Sequence, residues 1–502
     1  MLSVTISSMK LRHSYKTFFF LLLGLTVVFS ACTPEPDLYF SEEITIAYAE
    51  PLSSYSPLSY EAKDRKYLAN IYEPLVSFDK SFNTKTALAI GWGRLDDNTW
   101  DFRLRKGVVF HDGSNFDADD VIYSLNLARQ DEVSDLGSLL SSIVRVEKTG
   151  LHRVEIETST PDPLLLNKLT NVYISPEDYS HFDLPVGSGA YKFASTKGPV
   201  LTLNRFDSYW GSAPFFPVVN LLFEPDPIKR VQALSSGEID VLANVPPQFV
   251  GDLKAANFHV HSFPSLELSF LMMNSELLLG NDDLRDLLWA ALRNNYAQLL
   301  GGGYLLPSGQ FAASGILGYL PSFEGRKQDL KLAAELSADF EGLELDLDVP
   351  VGLEIFAKLV KEDLKPFGVN INVVSHPIGE FEDIALSGQS ELYFFGWKYD
   401  LGDVADFYES VVHTSDGKYG AFNGINYSNS SLDALIEDVS VLHDLDARRD
   451  HFRQIADVLM EDRVILPLFE SSLLYSFSPD IFWDIRLDGQ ILASEIFGNV
   501  VK

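Results

Sequence analysis

The hydrophobic positions of the chain follow different periods in different stretches, and each period predicts a different element. Residues 100–104 alternate apolar or aromatic side chains with charged ones, which predicts a half-buried strand. Residues 268–273 are mostly apolar, as in a buried strand. Residues 284–300 have helical spacing and end at three glycines, so one helix is expected there. Those glycines lack the Lys-Ser/Thr of a phosphate-binding loop, which favours a helix stop.

The second half of the chain predicts a β-α-β unit. Residues 345–349 and 369–374 have the composition of strands, and residues 354–364 between them have the spacing of an amphipathic helix. Such a unit requires two parallel strands. Further short apolar strands are expected at residues 392–397 and 464–469. The predicted fold class is therefore α/β or α+β, with several sheets.

Length, charge and cysteine content narrow the class of protein. The chain has 502 residues, more than a single hydrophobic core normally supports, so two or three domains are expected. It carries 39 Lys and Arg against 71 Asp and Glu, a net charge of −32. Such a surface repels phosphate backbones, so nucleic acid is not expected as a partner. The single cysteine, Cys32, excludes an internal disulfide and a multi-cysteine metal site.

The N-terminal segment has the pattern of an export signal. Lys10, Arg12 and Lys16 precede an uncharged run of mostly apolar residues at 18–29. This run is shorter than the roughly 20 residues that span a bilayer, and its length suits the core of a signal peptide. We therefore predict a signal peptide over residues 1–31 and an exported protein.

Cys32 follows the small residues Ser30 and Ala31, and this order resembles a bacterial lipobox, although Phe29 stands where leucine is usual. In that interpretation Cys32 becomes the first residue of the mature protein and carries a diacylglycerol anchor, with residues 32–41 as a tether. The alternative is an ordinary secretory signal that is cleaved near Ala31.

Motifs for catalysis are absent from the sequence. It contains neither a Gly-x-Ser-x-Gly elbow nor a His-Glu-x-x-His helix. His259 and His261 would share one face of a strand and could begin a zinc or nickel site, but no third ligand can be assigned. We therefore expect no catalytic residue, no metal and no cofactor.

Several motifs together resemble the family 5 solute-binding proteins of ABC importers, the oligopeptide- and dipeptide-binding group. The first is Tyr72-Glu73-Pro74-Leu75, and the longest runs over residues 99–124. Gly187-Ser188-Gly189-Ala190-Tyr191 and Tyr209-Trp210-Gly211 follow, and residues 236–240 and 426–433 continue the likeness. The resemblance covers nearly the whole chain after the export signal.

The resemblance implies an α/β fold of two lobes that close on a ligand like a flytrap, as in periplasmic binding proteins, with an extra subdomain inserted in lobe I. Lobe I would take residues 42–76, 186–265 and 470–502, and the inserted subdomain would take residues 77–185. Lobe II would take residues 266–469. Strands near 268–274 and 464–470 would connect the lobes.

The resemblance also implies a ligand site. In peptide-binding members a carboxylate that follows a Gly-Trp motif pairs with the ligand's α-ammonium, and Asp400 holds that position after Gly396-Trp397. The peptide backbone would add as a strand against residues 270–273 and the residues near Phe395 and Gly396. The expected ligand-binding residues are Asp400, Trp397, Gly396, Lys398, Tyr399, Phe395, Phe270, Leu271, Met272 and Met273.

The sequence therefore predicts a monomeric, lipid-anchored binding protein on the periplasmic face of a bacterial membrane. Its partners would be a peptide ligand and an ABC permease in the inner membrane. Residues 393–395 are apolar where some oligopeptide binders carry arginines, so the ligand carboxylate would be met by Lys398, by a distant base or by water. The alternatives are a nickel or metal-chelate binder of the same family and, less favoured, an exported peptide hydrolase.

Overall fold

The structure of the protein, a computed structural model, describes residues 42–59, 62–131, 136–274, 278, 280–301, 303–323 and 325–498. The predicted signal peptide, Cys32 and the predicted tether lie outside the described residues. The strands are β1 (Glu43–Tyr48), β2 (Glu73–Pro74), β3 (Val76–Phe78), β4 (Thr84–Thr86), β5 (Ala89–Arg94), β6 (Thr99–Leu104), β7 (Ile143–Gly150), β8 (Arg153–Thr158), β9 (Tyr173–Ile174), β10 (Tyr191–Lys197), β11 (Val200–Arg205), β12 (Val218–Phe223), β13 (Val241–Ala243), β14 (His259–Met273), β15 (Leu305–Pro307), β16 (Glu344–Pro350), β17 (Asn370–His376), β18 (Leu392–Lys398), β19 (Ile465–Phe477), β20 (Ile481–Trp483) and β21 (Ile496–Gly498).

The helices complete the description of the chain. They are α1 (Ala62–Leu68), α2 (Ala118–Arg129), α3 (Leu136–Leu139), α4 (Leu165–Leu169), α5 (Pro227–Ser236), α6 (Val250–Ala255), α7 (Asp282–Ala291), α8 (Tyr296–Gly301), α9 (Leu330–Leu336), α10 (Glu354–Leu364), α11 (Ile378–Leu386), α12 (Ala405–Phe407), α13 (Ser430–Val441) and α14 (Leu445–Asp462). Short 3₁₀ turns lie at Pro247–Phe249, Ser337–Phe340, Lys365–Phe367 and Ala493–Glu495, and a π-helical turn lies at Tyr408–Val412.

One large mixed sheet runs through the molecule in the order β10-β11-β12-β1-β13-β19-β14-β18-β16-β17, with β15 added to β19. We call the part built on β1 and β10–β13 lobe I, and the part built on β15–β18 lobe II. The predicted β-α-β unit is confirmed, because β16, α10 and β17 follow one another and the two strands are parallel. A separate four-stranded sheet, β5-β6-β8-β7, lies beside lobe I under α2 and has its own hydrophobic cluster.

The two lobes are joined by β14 and β19, which pair antiparallel from His259↔Phe477 to Met272↔Ile465. Residues 267–273 of β14 already pair with β18 of lobe II, and the last residues of β19 pair with β13 of lobe I. The passage between the lobes therefore lies near residues 262–266 and 471–474, a few residues away from the expected 268–274 and 464–470. The pairing register shifts between Pro264 and Leu268. Leu266, inside this irregular stretch, has a φ of 60°.

The predicted helix over residues 284–300 is wrong in one respect, because it is two helices, α7 and α8. Leu292 has extended backbone between them. The guanidinium of Arg326 donates to the carbonyls of Trp289, Leu292 and Arg293, and Asp363 accepts from the Arg293 backbone N–H at 3.0 Å. These partners come from distant parts of the chain, so the helical period could not reveal the break.

The glycines of the Gly187-Ser188-Gly189 motif allow two chain segments to touch. The Gly189 N–H donates to the Ile71 carbonyl at 2.8 Å, and a Cβ on Gly189 would lie 2.6 Å from that same oxygen. A Cβ on Gly187 would lie 2.2 Å from it. Glycine is required here because of close backbone approach.

We predict that Gly189→Ala lowers the free energy of unfolding by about 1–3 kcal/mol, since backbone atoms must move to admit the methyl group. Gly93→Ala is the matched control, because a Cβ at Gly93 meets nothing within 4 Å. It should change stability by less than about 0.5 kcal/mol. Chemical denaturation of both variants measures the difference, and equal stability would contradict this assignment.

Candidate functional site

A cavity lies where lobe I faces lobe II. Arg65 and Lys66 of α1 line it beside lobe I, Lys398 and Asp400 line it from lobe II, and Phe78 and Phe82 complete the wall. Its volume is about 80 Å³, whereas small-molecule sites usually measure about 300–1,000 Å³. A peptide therefore enters this position only if the lobes first move apart.

Lys398 and Asp400 reach the cavity because Tyr399 between them is anchored in the core. Its side chain is buried, its hydroxyl donates to the Phe311 carbonyl, and its N–H donates to the Leu266 carbonyl at 2.9 Å. The flanking side chains therefore point the other way. The Lys398 ammonium contacts the Asp400 carboxylate, and 47% of the Asp400 side chain stays exposed.

Sequence reasoning missed several charged residues at this site: Arg65, Lys66 and Asp488 line the cavity, and Glu267 lies beside it. Glu267 lies on β14 directly across from Lys398. Burial raises the pKa of Glu267, whereas the neighbouring Lys398 lowers it. Lys66 lies on α1, and burial together with the charge of Lys398 lowers the pKa of its ammonium group. A charged residue at position 267 of an otherwise largely apolar strand was the signal that could have revealed Glu267.

The turn after Asp400 is held by a buried ion pair. Arg448 of α14 donates to the Asp403 carboxylate at 2.8 Å, and both side chains are almost completely buried. Asp403 also accepts from the Ala405 N–H at 2.8 Å. Arg448 and Asp403 therefore fix the backbone just beyond Asp400, so removal of one partner would leave an uncompensated buried charge.

Five of the expected ligand-binding residues lie in the protein core. Phe270, Leu271, Met272 and Met273 are completely buried, and β14 pairs with β18 on one edge and β19 on the other. A peptide cannot add as a strand to these residues because neither edge is free. Tyr399 is also buried, so its ring cannot wall the cleft.

The other expected residues on β18 divide between its two faces. Phe395 and Trp397 pack on the cluster around Phe407, where the ring centroids of Trp397 and Phe407 are 6.1 Å apart. Gly396 faces the opposite way, and a Cβ there would lie 3.2 Å from a Glu267 carboxylate oxygen. Gly396 therefore leaves room for the Glu267 side chain beside the cavity.

A second contact between the lobes lies next to Asp400. Asn167 of α4 donates to the Leu401 carbonyl at 2.6 Å. Burial and the nearby Glu409 raise the pKa of Asp406 to about 7, whereas Lys168 across the cleft lowers it. Lys168 itself pairs with Asp162 at 2.7 Å. The carboxylates on lobe II therefore face a lysine on the opposite side.

The motifs that carried the family resemblance meet at Glu73, away from the charged groups of the cleft. Its carboxylate accepts hydrogen bonds from Trp210 Nε1 at 2.8 Å, from Ser188 Oγ at 2.8 Å and from Tyr209 OH at 3.0 Å. Burial raises the pKa of Glu73 to about 7 in spite of these donors. Three motifs far apart in sequence thus form one network that holds lobe I together.

His259 and His261 share a face of β14, with ring centroids 6.0 Å apart. The His261 ring stacks on Phe477 at 4.9 Å. Within the described residues, no group of three or more His, Cys, Asp or Glu side chains is placed to hold a metal ion.

A family description, "Bacterial extracellular solute-binding proteins, family 5 Middle", matches residues 83–419, about two thirds of the chain. The chain belongs to this family of solute-binding proteins. No helix in the described part of this solute-binding protein is long and apolar enough to cross a bilayer.

Named relatives cover most of the same length. A "Dipeptide-binding protein" of Pseudomonas aeruginosa is 25% identical over 504 aligned positions, which cover 89% of this chain and 91% of the relative. An ABC-transporter-associated binding protein, DppA of Helicobacter pylori, solved with the peptide STSA, has a TM-score of 0.77 at 20% identity and covers 91% of this chain and 98% of that chain. NikA of Brucella suis, solved with Fe(III)-EDTA, has a TM-score of 0.80 at 21% identity, with coverage of 91% and 100%. These structures confirm the mixed α/β fold of periplasmic binding proteins.

We predict a pH dependence for this solute-binding protein that Glu73 causes. Because its pKa in the folded state, about 7, lies above the usual value of 4.5, the folded state holds the proton more tightly than the unfolded state. The wild type should therefore lose stability relative to Glu73→Gln as the pH rises from about 4.5 to above 7.

Thermal unfolding midpoints at pH 5, 6, 7 and 8 measure this difference. Glu335→Gln is the control, because Glu335 is exposed and pairs only at the surface with Lys331. Its difference from the wild type should stay constant. A constant difference for Glu73→Gln as well would contradict the assignment.

Proposed function

We propose that this protein captures peptides between its two lobes and delivers them to an ABC permease, without catalysing a reaction. The single observation that carries the proposal is the cavity between the lobes, where Asp400 presents a carboxylate on lobe II opposite lobe I. Family membership supports solute binding, and the relatives named as dipeptide- and oligopeptide-binding proteins support a peptide as the ligand.

Asp400 is proposed to bind the α-ammonium group of the peptide. Its contact with Lys398 is partly exposed, and exposed ion pairs contribute only about 0–1 kcal/mol. A ligand ammonium can therefore replace Lys398 at little cost. Closure of the lobes then removes water, and the charge-assisted hydrogen bond becomes stronger. The strong negative charge of the chain also favours the approach of a cationic group.

The metal-chelate alternative is not retained, because no observation favours it over peptide binding. The His261 ring stacks on Phe477. Together with His259 it offers two metal ligands. A structural zinc site needs four ligands and a catalytic one three.

We also propose how the chain is exported, anchored and divided into lobes. Residues 1–31 would direct export, Cys32 would carry a lipid, and residues 32–41 would tether a monomer to the periplasmic face of the membrane. Lobe I would comprise residues 42–76, 186–265 and 470–502 with an insertion at 77–185, and lobe II residues 266–469. The separate four-stranded sheet and its own cluster support the insertion.

We predict that Asp400→Asn weakens the binding of Ala-Ala-Ala about tenfold or more, because a charged partner of the ammonium is replaced by a neutral amide. Isothermal titration calorimetry with the purified protein measures the change. Asp446→Asn is the control, since the Asp446 side chain is 92% exposed on α14. Equal affinity of the wild type and Asp400→Asn would remove the role given to Asp400.

We also predict that Cys32→Ser releases the protein from the membrane. Detergent-phase partitioning and intact-protein mass spectrometry should show an acylated wild type in the membrane fraction and an unacylated variant. A wild type that is soluble and has a free thiol would favour the ordinary secretory signal with cleavage near Ala31.

A further inference from the structure

Two exposed phenylalanines stand side by side on the hairpin of β20 and β21, which packs on the lobe I core. Phe482 and Phe497 are directly opposite each other in this ladder, so both side chains project from one face of it. The other face carries Ile481, Trp483 and Ile496, which are buried. Phe482 is 56% exposed and Phe497 is 51% exposed. Two large apolar side chains together on one face form a patch, which isolated exposed residues do not.

Phe215 connects this pair to the beginning of β12. Its ring centroid lies 6.4 Å from that of Phe497, and a Cβ on Gly498 would lie 2.8 Å from the Phe215 ring. Phe215 precedes β12, which starts at Val218, by three residues. We call Phe215, Phe482 and Phe497 the phenylalanine patch. This patch therefore lies at the end of the lobe I sheet where β12 begins.

The N-terminal segment reaches the same end of that sheet. β1 and β12 are parallel, with Glu43 opposite Val218, and the Val218 N–H donates to the Glu42 carbonyl at 3.1 Å. Because parallel strands begin at the same end, the residues before β1 and those before β12 arrive there side by side. Continued backward by three residues, the register would set Phe40 opposite Phe215. Adjacent strands lie about 4.8 Å apart, within the reach of two aromatic rings.

The sequence before β1 contains an apolar run that a solvated tether does not need. Residues 33–37 are Thr-Pro-Glu-Pro-Asp and residues 41–43 are Ser-Glu-Glu, whereas residues 38–40 are Leu-Tyr-Phe. Three consecutive apolar or aromatic residues are costly to leave in water. The run ends two residues before Glu42, whose carbonyl already accepts from β12. The chain itself therefore holds the run beside the patch at high effective concentration.

We propose that residues 38–40 dock on the phenylalanine patch, with Phe40 packed against Phe215 and Phe497. This docking does not depend on peptide capture. Its consequence for anchoring rests on the proposed lipid at Cys32. Residues 33–37 would then be the only free part of the tether, and five residues span at most about 18 Å, against about 32 Å for the nine residues 33–41. The docked segment thus keeps lobe I close to the membrane, where the permease would receive the ligand.

Limited digestion of the purified full chain with chymotrypsin, which cleaves after Tyr39 and Phe40, tests the docking. A docked segment is cut only while it is undocked, so the rate of cleavage reports the undocked fraction. The double variant Phe482→Ser, Phe497→Ser leaves the cleaved sequence unchanged. It should accelerate cleavage about fivefold, since one aromatic pair contributes a factor of that order. Intact-protein mass spectrometry identifies the bond that is cut.

Ile355→Ser is the matched control, because Ile355 is an apolar residue that is 68% exposed on α10 of lobe II. It should leave cleavage after residues 39 and 40 unchanged. Hydrogen exchange provides a measurement without a protease: the amides of residues 38–41 should exchange slowly in the wild type and faster in the double variant. Thermal unfolding should show that both variants fold, since the substituted side chains face outward.

Unchanged cleavage and exchange in the double variant would overturn the docking and leave peptide capture and the lipid at Cys32 intact. Two other occupants of the patch have their own signatures. A wild-type dimer in analytical ultracentrifugation that the double variant loses would indicate a second copy of the chain. Wild-type binding to phosphatidylcholine vesicles that the double variant loses would indicate a lipid surface. Either result, together with unchanged cleavage, would overturn the proposal and assign the patch to that occupant.

Discussion

The antiparallel pairing of β14 with β19 is the constraint on which the rest of the structure depends. These strands, 15 and 13 residues long, belong to both lobes at once, so the position of each lobe is set by how the ladder runs. The pairing register of this ladder shifts between Pro264 and Leu268 and again between Ser269 and Phe270. This irregular stretch coincides with the passage of the two strands from one lobe to the other.

The ladder also determines which residues can meet a ligand. Both edges of β14 are paired, and its apolar residues pack on the two faces of the lobe II sheet. These residues are therefore buried and cannot contact a ligand. Glu267 lies where this strand leaves lobe II, and Lys398 lies where β18 ends beside it. The charged groups of the cleft thus occupy the last positions of a rigid sheet, and Tyr399 and the Asp403–Arg448 pair hold the turn that follows. A site built in this way is held in one geometry by the sheet beneath it.

The residues that made the family visible in the sequence serve mostly to build lobe I. Glu73, Ser188 and Trp210 belong to three separate motifs, and they converge in one hydrogen-bond network. Position 189 requires glycine because the Ile71 carbonyl lies where a Cβ would be. Such motifs identify a fold reliably because packing of this kind tolerates little change, yet they say little about the ligand. The charged side chains that line the cleft, Lys66, Lys398 and Asp400, lie outside these packing motifs.

By itself, the sequence determined the local elements and the family. The alternation in residues 100–104, the helical period of residues 354–364 and the strands around it depend on neighbouring side chains, and all of them form as expected. The sequence also placed Asp400 after a Gly-Trp pair. It could not show that residues 270–273 have no free edge, that Arg326 and Asp363 divide a helix in two, or that Lys66 faces Asp400. Each of these depends on groups that are tens to hundreds of residues apart in the chain. Only the tertiary structure brings them within the few ångströms over which hydrogen bonds and desolvated charges act.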